Sequence, residues 1–306
     1  MKNWEYIVLI AIIILFVAVP FFTGPYILHV TTTILTFLSL ALSWDMMLRT
    51  GQLSFGTAGF FGIGGYTAVL VYLIFNMNPL LSIIVGGIFA AIIAFILGFA
   101  ILRLRGIYFA ITTLALSGVF MVIIKNLSNI TGGAEGTILP SAIFNGNPIK
   151  IYWLTLVIAI ITIIGSELFQ KTKIYFAITS TRNDEIVAKS SGIDIFRYLV
   201  FVFVITSAIQ GIIGGAYAQQ YGFVSPESTF STHFLLLPIA MCLAGGLYST
   251  IGSVVGAVLL GIIAEYLKMQ FPYGHLIIYG VIIVLVVLLM PRGIAGTIKD
   301  ILKKRR

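Results

Sequence analysis

The sequence predicts an all-α polytopic membrane protein, a bundle of about ten transmembrane helices in a single domain over residues 1–306. Three observations carry that expectation. Hydrophobic residues make up 59% of the chain and charged residues only 9%, too little charge to coat a soluble domain of this length. Apolar runs of about 20 residues, the length a bilayer requires, recur from end to end. Lys and Arg collect in alternate gaps between those runs, as in chains threaded repeatedly through a membrane.

The first run, residues 6–22, follows Lys2 and superficially resembles a secretory leader. Ala18-Val19-Pro20 is a poor cleavage site and further apolar runs follow, so this segment is expected to stay as the first span. Runs at 29–48, 53–75, 80–102 and 107–124 come next, separated by charged or Gly/Pro/Asn punctuation. The second half gives 151–169, 198–221, 234–247, 251–267 and 276–290. The run at 53–75 is rich in glycine and the run at 234–247 is short, so either could be broken or re-entrant.

Charge sets the expected orientation. With the N-terminus inside, the 18 Lys and Arg residues divide 15 to the inner face and 3 to the outer, the outer three being Lys125, Lys150 and Lys268. The positive-inside rule therefore places both termini in the cytoplasm, in a multi-pass protein of the cytoplasmic membrane. Topology accounts for the formal net charge of +8, and nucleic acid is not an expected partner. The basic tail, residues 291–306, is expected to meet anionic lipid headgroups.

One segment breaks the apolar pattern. Residues 180–192, Ser-Thr-Arg-Asn-Asp-Glu-Ile-Val-Ala-Lys-Ser-Ser-Gly, read as a short helix outside the bilayer. Thr181 suits its N-cap with Asp184 three residues on, and Gly192 suits its stop. By the charge count it lies in the cytoplasm, where it is either a solvated loop or a handle for a soluble partner.

Glycine, at 31 residues, is the other marked feature. Gly211 with Gly215, and Gly252 with Gly256, have the small-xxx-small spacing that brings helices close where lipid offers no hydrophobic drive. Gly56, Gly59, Gly62, Gly64 and Gly65 crowd the third run, in the company of Gln52, Ser54 and Thr57. Two readings stay open there: tight packing, or a loosened helix turning polar groups toward a pathway.

The chemistry the sequence lacks narrows its function. No phosphate-binding loop of the G-x-x-x-x-G-K-[ST] type occurs, so hydrolysis of ATP by that route is not expected of this chain. His29, His233 and His275 sit at the outer ends of separate runs, which argues for interfacial packing rather than a metal site. Asp45 and Glu167 lie near the inner interface, and Glu265 has Lys268 three residues on as a partner. A proton-coupled carrier needs a carboxylate or histidine near mid-membrane, and none stands out. Cys242 alone excludes an internal disulfide. No paired acids, nucleophile–base set or metal motif argues for an enzyme.

Five stretches together resemble one family. Gly51-Gln52-Leu53-Ser54-Phe55-Gly56-Thr57-Ala58-Gly59-Phe60-Phe61-Gly62-Ile63-Gly64-Gly65-Tyr66 is similar to a Gly-rich stretch of the branched-chain amino acid ABC transporter permeases. Gly106 to Ala115, Thr131-Gly132-Gly133-Ala134-Glu135-Gly136, Arg182 to Gly192 and Leu243 to Ala257 resemble later motifs of that family, in the same order. The likeness is to its LivM-type subunit. Two departures stand out: Val187-Ala188 replaces a pair of alanines, and no His or Asp flanks Gly56-Thr57-Ala58.

The resemblance implies an ATP-driven importer of branched-chain amino acids. This chain would pair with a second permease subunit, two cytoplasmic ATPases that bind the ATP, and an extracytoplasmic binding protein. It would hold no cofactor itself. Arg182, Asp184, Glu185, Ile186, Ala188 and Gly192 would then form the ATPase-coupling helix. Gln52, Ser54, Thr57, Thr112 and Thr113 are the candidates for a substrate pathway. The outer loop 126–150, with Thr131, Gly132, Gly133 and Glu135, would receive the binding protein, and flexibility at Gly132-Gly133 is expected to matter for delivery. The alternatives are a related permease for urea, amides or another small polar metabolite, and, from a different class, a gradient-driven carrier or channel.

Overall fold

A computed structural model of the protein describes residues 2–172, 175, 194–271, 274–290 and 293–297. The chain is an all-helical membrane protein. Among the described residues, eight helices are long and apolar enough to cross a membrane, and two shorter apolar stretches lie at Tyr6–Phe22 and Ile277–Val286.

In chain order the helices are α1 (Lys2–Phe22), α2 (Pro25–Leu48), α3 (Thr57–Phe75), α4 (Pro79–Ile101), α5 (Ile107–Asn126) and the single turn α6 (Ser128–Thr131). A two-residue strand β1 (Thr137–Ile138) precedes α7 (Pro148–Lys171) and α8 (Ile195–Tyr221). Then come β2 (Phe223–Val224), the short α9 (Pro226–Thr229), α10 (His233–Gly245), α11 (Thr250–Gln270) and α12 (His275–Leu289). Local chemistry sets the ends. Asn76 closes α3 in the left-handed conformation, and the Asn78 side chain then caps α4 by accepting from Leu80 N–H at 2.9 Å. Ser249 caps α11 in the same way through Gly252 N–H at 3.3 Å.

Both ambiguous runs resolve. The third is one continuous helix from Thr57 onward despite its glycines, preceded by an irregular segment at 52–56. The eighth is one short helix, α10, of 13 residues with Pro238 inside, and the separate turn α9 precedes it.

The chain forms two compact units. The first comprises Met1–Asp45, Pro148–Ile163 and Leu236–Arg306. Here the Tyr152 hydroxyl donates to the carbonyl of Phe16 at 2.6 Å, tying α7 to α1. Gly245, Gly252 and Gly256 bring α10 and α11 into backbone contact, since a Cβ on Gly256 would overlap the Met241 carbonyl. The buried Asp45 carboxylate accepts from Tyr248 N–H at 2.8 Å and holds the turn between those two helices, where Tyr248 itself has φ +62°. Cys242 is a buried helical residue whose thiol donates to the Ala41 carbonyl at 3.1 Å.

The second unit comprises Met46–Asn147 and Ile164–Leu235 and is organised around α3. Every residue from Thr57 to Tyr66 is buried. Glycine makes that possible: a Cβ on Gly64 would strike the Gly211 backbone of α8, one on Gly214 the Phe61 carbonyl, and one on Gly86 of α4 would lie 2.5 Å from the Gly64 carbonyl. Phe60 stands edge-on to Phe203 at 5.3 Å and to Phe120 at 6.0 Å, filling the space around these close approaches. The outward faces of α4 and α5 remain apolar, as lipid contact demands.

Candidate transport path and outer docking loop

The lead-in to α3 is fixed from α5. Gly51 at φ +84° turns the chain out of α2, after which residues 52–56 lie without helical hydrogen bonds. Thr113 supplies one replacement: its hydroxyl accepts from Phe55 N–H at 2.9 Å and donates back to Phe109 or Ala110 within α5. Ser54 accepts from Gly56 N–H at 3.3 Å, and Gly56 lies against Thr113. The structure thus joins Ser54 and Thr113 in one local network. Thr112, the next residue on α5, is half-buried on the adjoining face.

Gln52 and Thr57 differ from these. Both are buried, yet among the described residues Oε1 of Gln52 and Oγ1 of Thr57 have no hydrogen-bond partner. Three more oxygens in this unit share that condition: Tyr66 Oη on α3, Ser117 Oγ on α5 and Gln219 Oε1 on α8. A Cβ on Gly59 would lie 2.7 Å from Ser117 Oγ, so this hydroxyl borders the glycine face of α3. Gln219 donates to the Ala68 carbonyl of α3 at 3.3 Å. Polar atoms buried without partners cost about 1–3 kcal/mol each and are uncommon unless function needs them. Ser117 was legible in principle, since it falls four residues after Thr113 and therefore on the same face of α5.

The loop at 126–150 is built differently. Thr131 is buried, and its hydroxyl donates to the Ile124 carbonyl at 2.6 Å while accepting from Gly133 N–H at 3.3 Å. The Thr131 carbonyl in turn accepts from the Thr137 hydroxyl at 2.7 Å. Gly132, Gly133 and Gly136 have φ values of +75°, +61° and +82°, and side chains on Gly132 and Gly136 would overlap the Gly136 and Val224 carbonyls. These glycines supply left-handed backbone to a tightly bonded turn.

Further along, β1 pairs antiparallel with β2, setting Thr137 opposite Val224, and Leu139 N–H donates to the Gly222 carbonyl at 2.8 Å. Lys125 and Glu227 form an ion pair at 2.6 Å beside this loop. Glu135 is exposed on its surface.

Arg182, Asp184, Glu185, Ile186, Ala188 and Gly192, the candidates for coupling, lie outside the described residues. The chain is described again from Asp194, which caps α8 by accepting from Arg197 N–H at 3.3 Å. Among the described residues, no group of three or more His, Cys, Asp or Glu side chains could hold a metal ion. Glu265 pairs with Lys268 at 4.0 Å, as their spacing suggests.

Known proteins match this arrangement over most of its length. The family model for the branched-chain amino acid transport system permease component matches residues 26–287. The high-affinity branched-chain amino acid transport system permease protein LivM of Escherichia coli K12 is 27% identical over 325 residues, covering 96% of this chain and 76% of that protein. A probable branched-chain amino acid transport permease protein LivH from Methanocaldococcus jannaschii is 24% identical and covers 87% of this chain and 89% of its own length. Among solved structures, PsaBC from Streptococcus pneumoniae in complex with a Fab superposes with a TM-score of 0.51 at 15% identity, covering 93% of this chain and 98% of that one, a likeness of fold. The chain belongs to the branched-chain amino acid transport system permease component family.

Proposed function

We propose that this permease is the membrane-spanning subunit of an ATP-driven, binding-protein-dependent importer of branched-chain amino acids. The family match over residues 26–287 is the observation that carries the reading. The partners are a second permease subunit, two cytoplasmic ATPases and an extracytoplasmic binding protein. Both termini and the segment 180–192 face the cytoplasm, a placement supported by the 15-to-3 division of Lys and Arg.

In this reading the outer loop offers the binding protein a surface of fixed shape, with Thr131, Gly132 and Gly133 setting its backbone and Glu135 exposed upon it. The cargo then follows a path along the α3 flank. Gln52, Thr57 and Ser117 carry buried oxygens without partners among the described residues, which opening of the path would offer to water, to the second subunit or to the polar ends of the cargo. Ser54 and Thr113 shape the backbone beside them, and the half-buried Thr112 adjoins Thr113 on α5. The coupling segment transmits ATPase closure: Arg182, Asp184 and Glu185 make charge-assisted contacts while Ile186 and Ala188 bury in the partner's cleft, and Gly192 ends the helix.

The test is ATP hydrolysis by the reconstituted complex, with leucine, isoleucine, valine, urea and acetamide each offered through the binding protein. Stimulation by the three branched amino acids, lost in Glu185→Lys without loss of membrane insertion, is the expected result. Stimulation by urea or acetamide alone, or normal stimulation in Glu185→Lys, would overturn the reading.

A further inference from the structure

The surface between α4 and α8 carries a groove that transport does not explain. It encloses about 410 Å³ and is lined by Phe95 and Phe99 of α4 and by Phe196, Arg197, Val200, Phe201 and Val204 of α8. The rings are arranged as a wall: Phe95 meets Phe99 edge-on at 5.0 Å, and Phe99 meets Phe196 at 5.9 Å. Phe95, Phe99 and Phe201 stay about half exposed, so the groove opens sideways from the helices. Its walls offer water almost nothing to bond, and a bilayer supplies hydrocarbon at the mouth.

One end of the groove is cationic. The two helices run antiparallel, with Gly87 against Ile212, Ala90 against Gly211, Gly98 against Phe203 and the Phe99 ring against that of Phe196. The end of α4 at Ile101 therefore lies at the same end of the groove as the start of α8 at Ile195, and Arg103 and Arg197 share that end. Arg103 and Arg105 are exposed just past the end of α4, and the Arg197 side chain is 85% exposed. Arg197 pairs with Asp194 at 2.7 Å, but an exposed pair three residues apart binds weakly and yields readily to a phosphate. Guanidinium groups match phosphate oxygens two at a time.

From this we infer that the α4–α8 groove binds one anionic phospholipid of the cytoplasmic leaflet, with an acyl chain along the phenylalanine wall and its phosphate on Arg103 and Arg197. The leaflet assignment rests on the topology proposed above; the apolar wall and the arginines do not. Asp194 and Arg197 directly follow the coupling segment in sequence, so this lipid would sit at the root of α8, where that segment rejoins the bundle.

Native mass spectrometry of the full-length permease in mild detergent tests the site, with phosphatidylglycerol or phosphatidylcholine of identical chains added back. The wild type is expected to retain one phosphatidylglycerol in preference to phosphatidylcholine. The double variant Arg103→Gln with Arg197→Gln should lower that retention roughly thirtyfold, from the loss of two surface cations. Val204→Trp, which fills the groove and leaves both arginines in place, should lower it comparably. Equal retention of the two lipids, or either variant binding like the wild type, would overturn the inference. Because micelles have no leaflets and contain no ATPase, failure here is separable from failure of the transport assay.

Discussion

Two threonines in the same unit show what separates the outer loop from the α3 flank. Thr131 and Thr57 are both almost fully buried. The Thr131 hydroxyl both donates and accepts, and its carbonyl is used as well, so the turn around it is over-determined. The Thr57 hydroxyl has no partner among the described residues. One polar group serves shape, and the other serves, in the proposed reading, something that is not part of the fold. A docking surface needs the first and a pathway needs the second.

Substitutions can break or sharpen that contrast. The largest effect belongs to Gly136→Ala, where a Cβ would overlap the Val224 carbonyl on a backbone at φ +82°. It should lower stability by about 3 kcal/mol and abolish stimulation by the binding protein, read by thermal unfolding and by ATP hydrolysis of the complex. Thr131→Val comes next, at about 2 kcal/mol, because Gly133 N–H and the buried backbone around it lose their partner. Thr113→Val should cost about 1.5 kcal/mol, since Phe55 N–H loses its bond to the Thr113 hydroxyl.

Thr57→Val is the decisive comparison. It removes a hydroxyl without a partner among the described residues, so unfolding should move by less than about 0.5 kcal/mol or shift toward greater stability. Leucine uptake should nevertheless fall several-fold. A destabilisation matching that of Thr131→Val would show that Thr57 is a structural residue after all. Lys125→Gln should have the smallest effect, under about 1 kcal/mol and shrinking further with added salt, because the pair with Glu227 is substantially exposed.

Much of this architecture was legible in the sequence because membrane folding is governed by patterns that stay local. Apolar run length located the spanning helices, and small-xxx-small spacing anticipated the contacts made by Gly211, Gly252 and Gly256. What escaped local patterns were contacts between distant residues. Leu53 and Phe55 read as helix, but Phe55 N–H is bonded to Thr113, 58 residues away, and the helix starts at Thr57. The fit of the loop was not legible because its partners lie elsewhere: Gly136 lies against the β2 residue Val224, and Thr137 pairs with that same residue. Tyr66 and Gln219 were passed over because each looks like an ordinary helical residue until its burial is known. The charge pattern of 180–192 remains the basis for the coupling proposal.

The most direct test of the central claim is accumulation of labelled leucine in vesicles containing this permease, its partner permease and the ATPases, with binding protein on the side facing the outer loop. Leucine should concentrate against its gradient only when ATP, both ATPases and the binding protein are all present. Uptake that persists without the ATPases would contradict the account and mark the chain as a gradient-driven carrier.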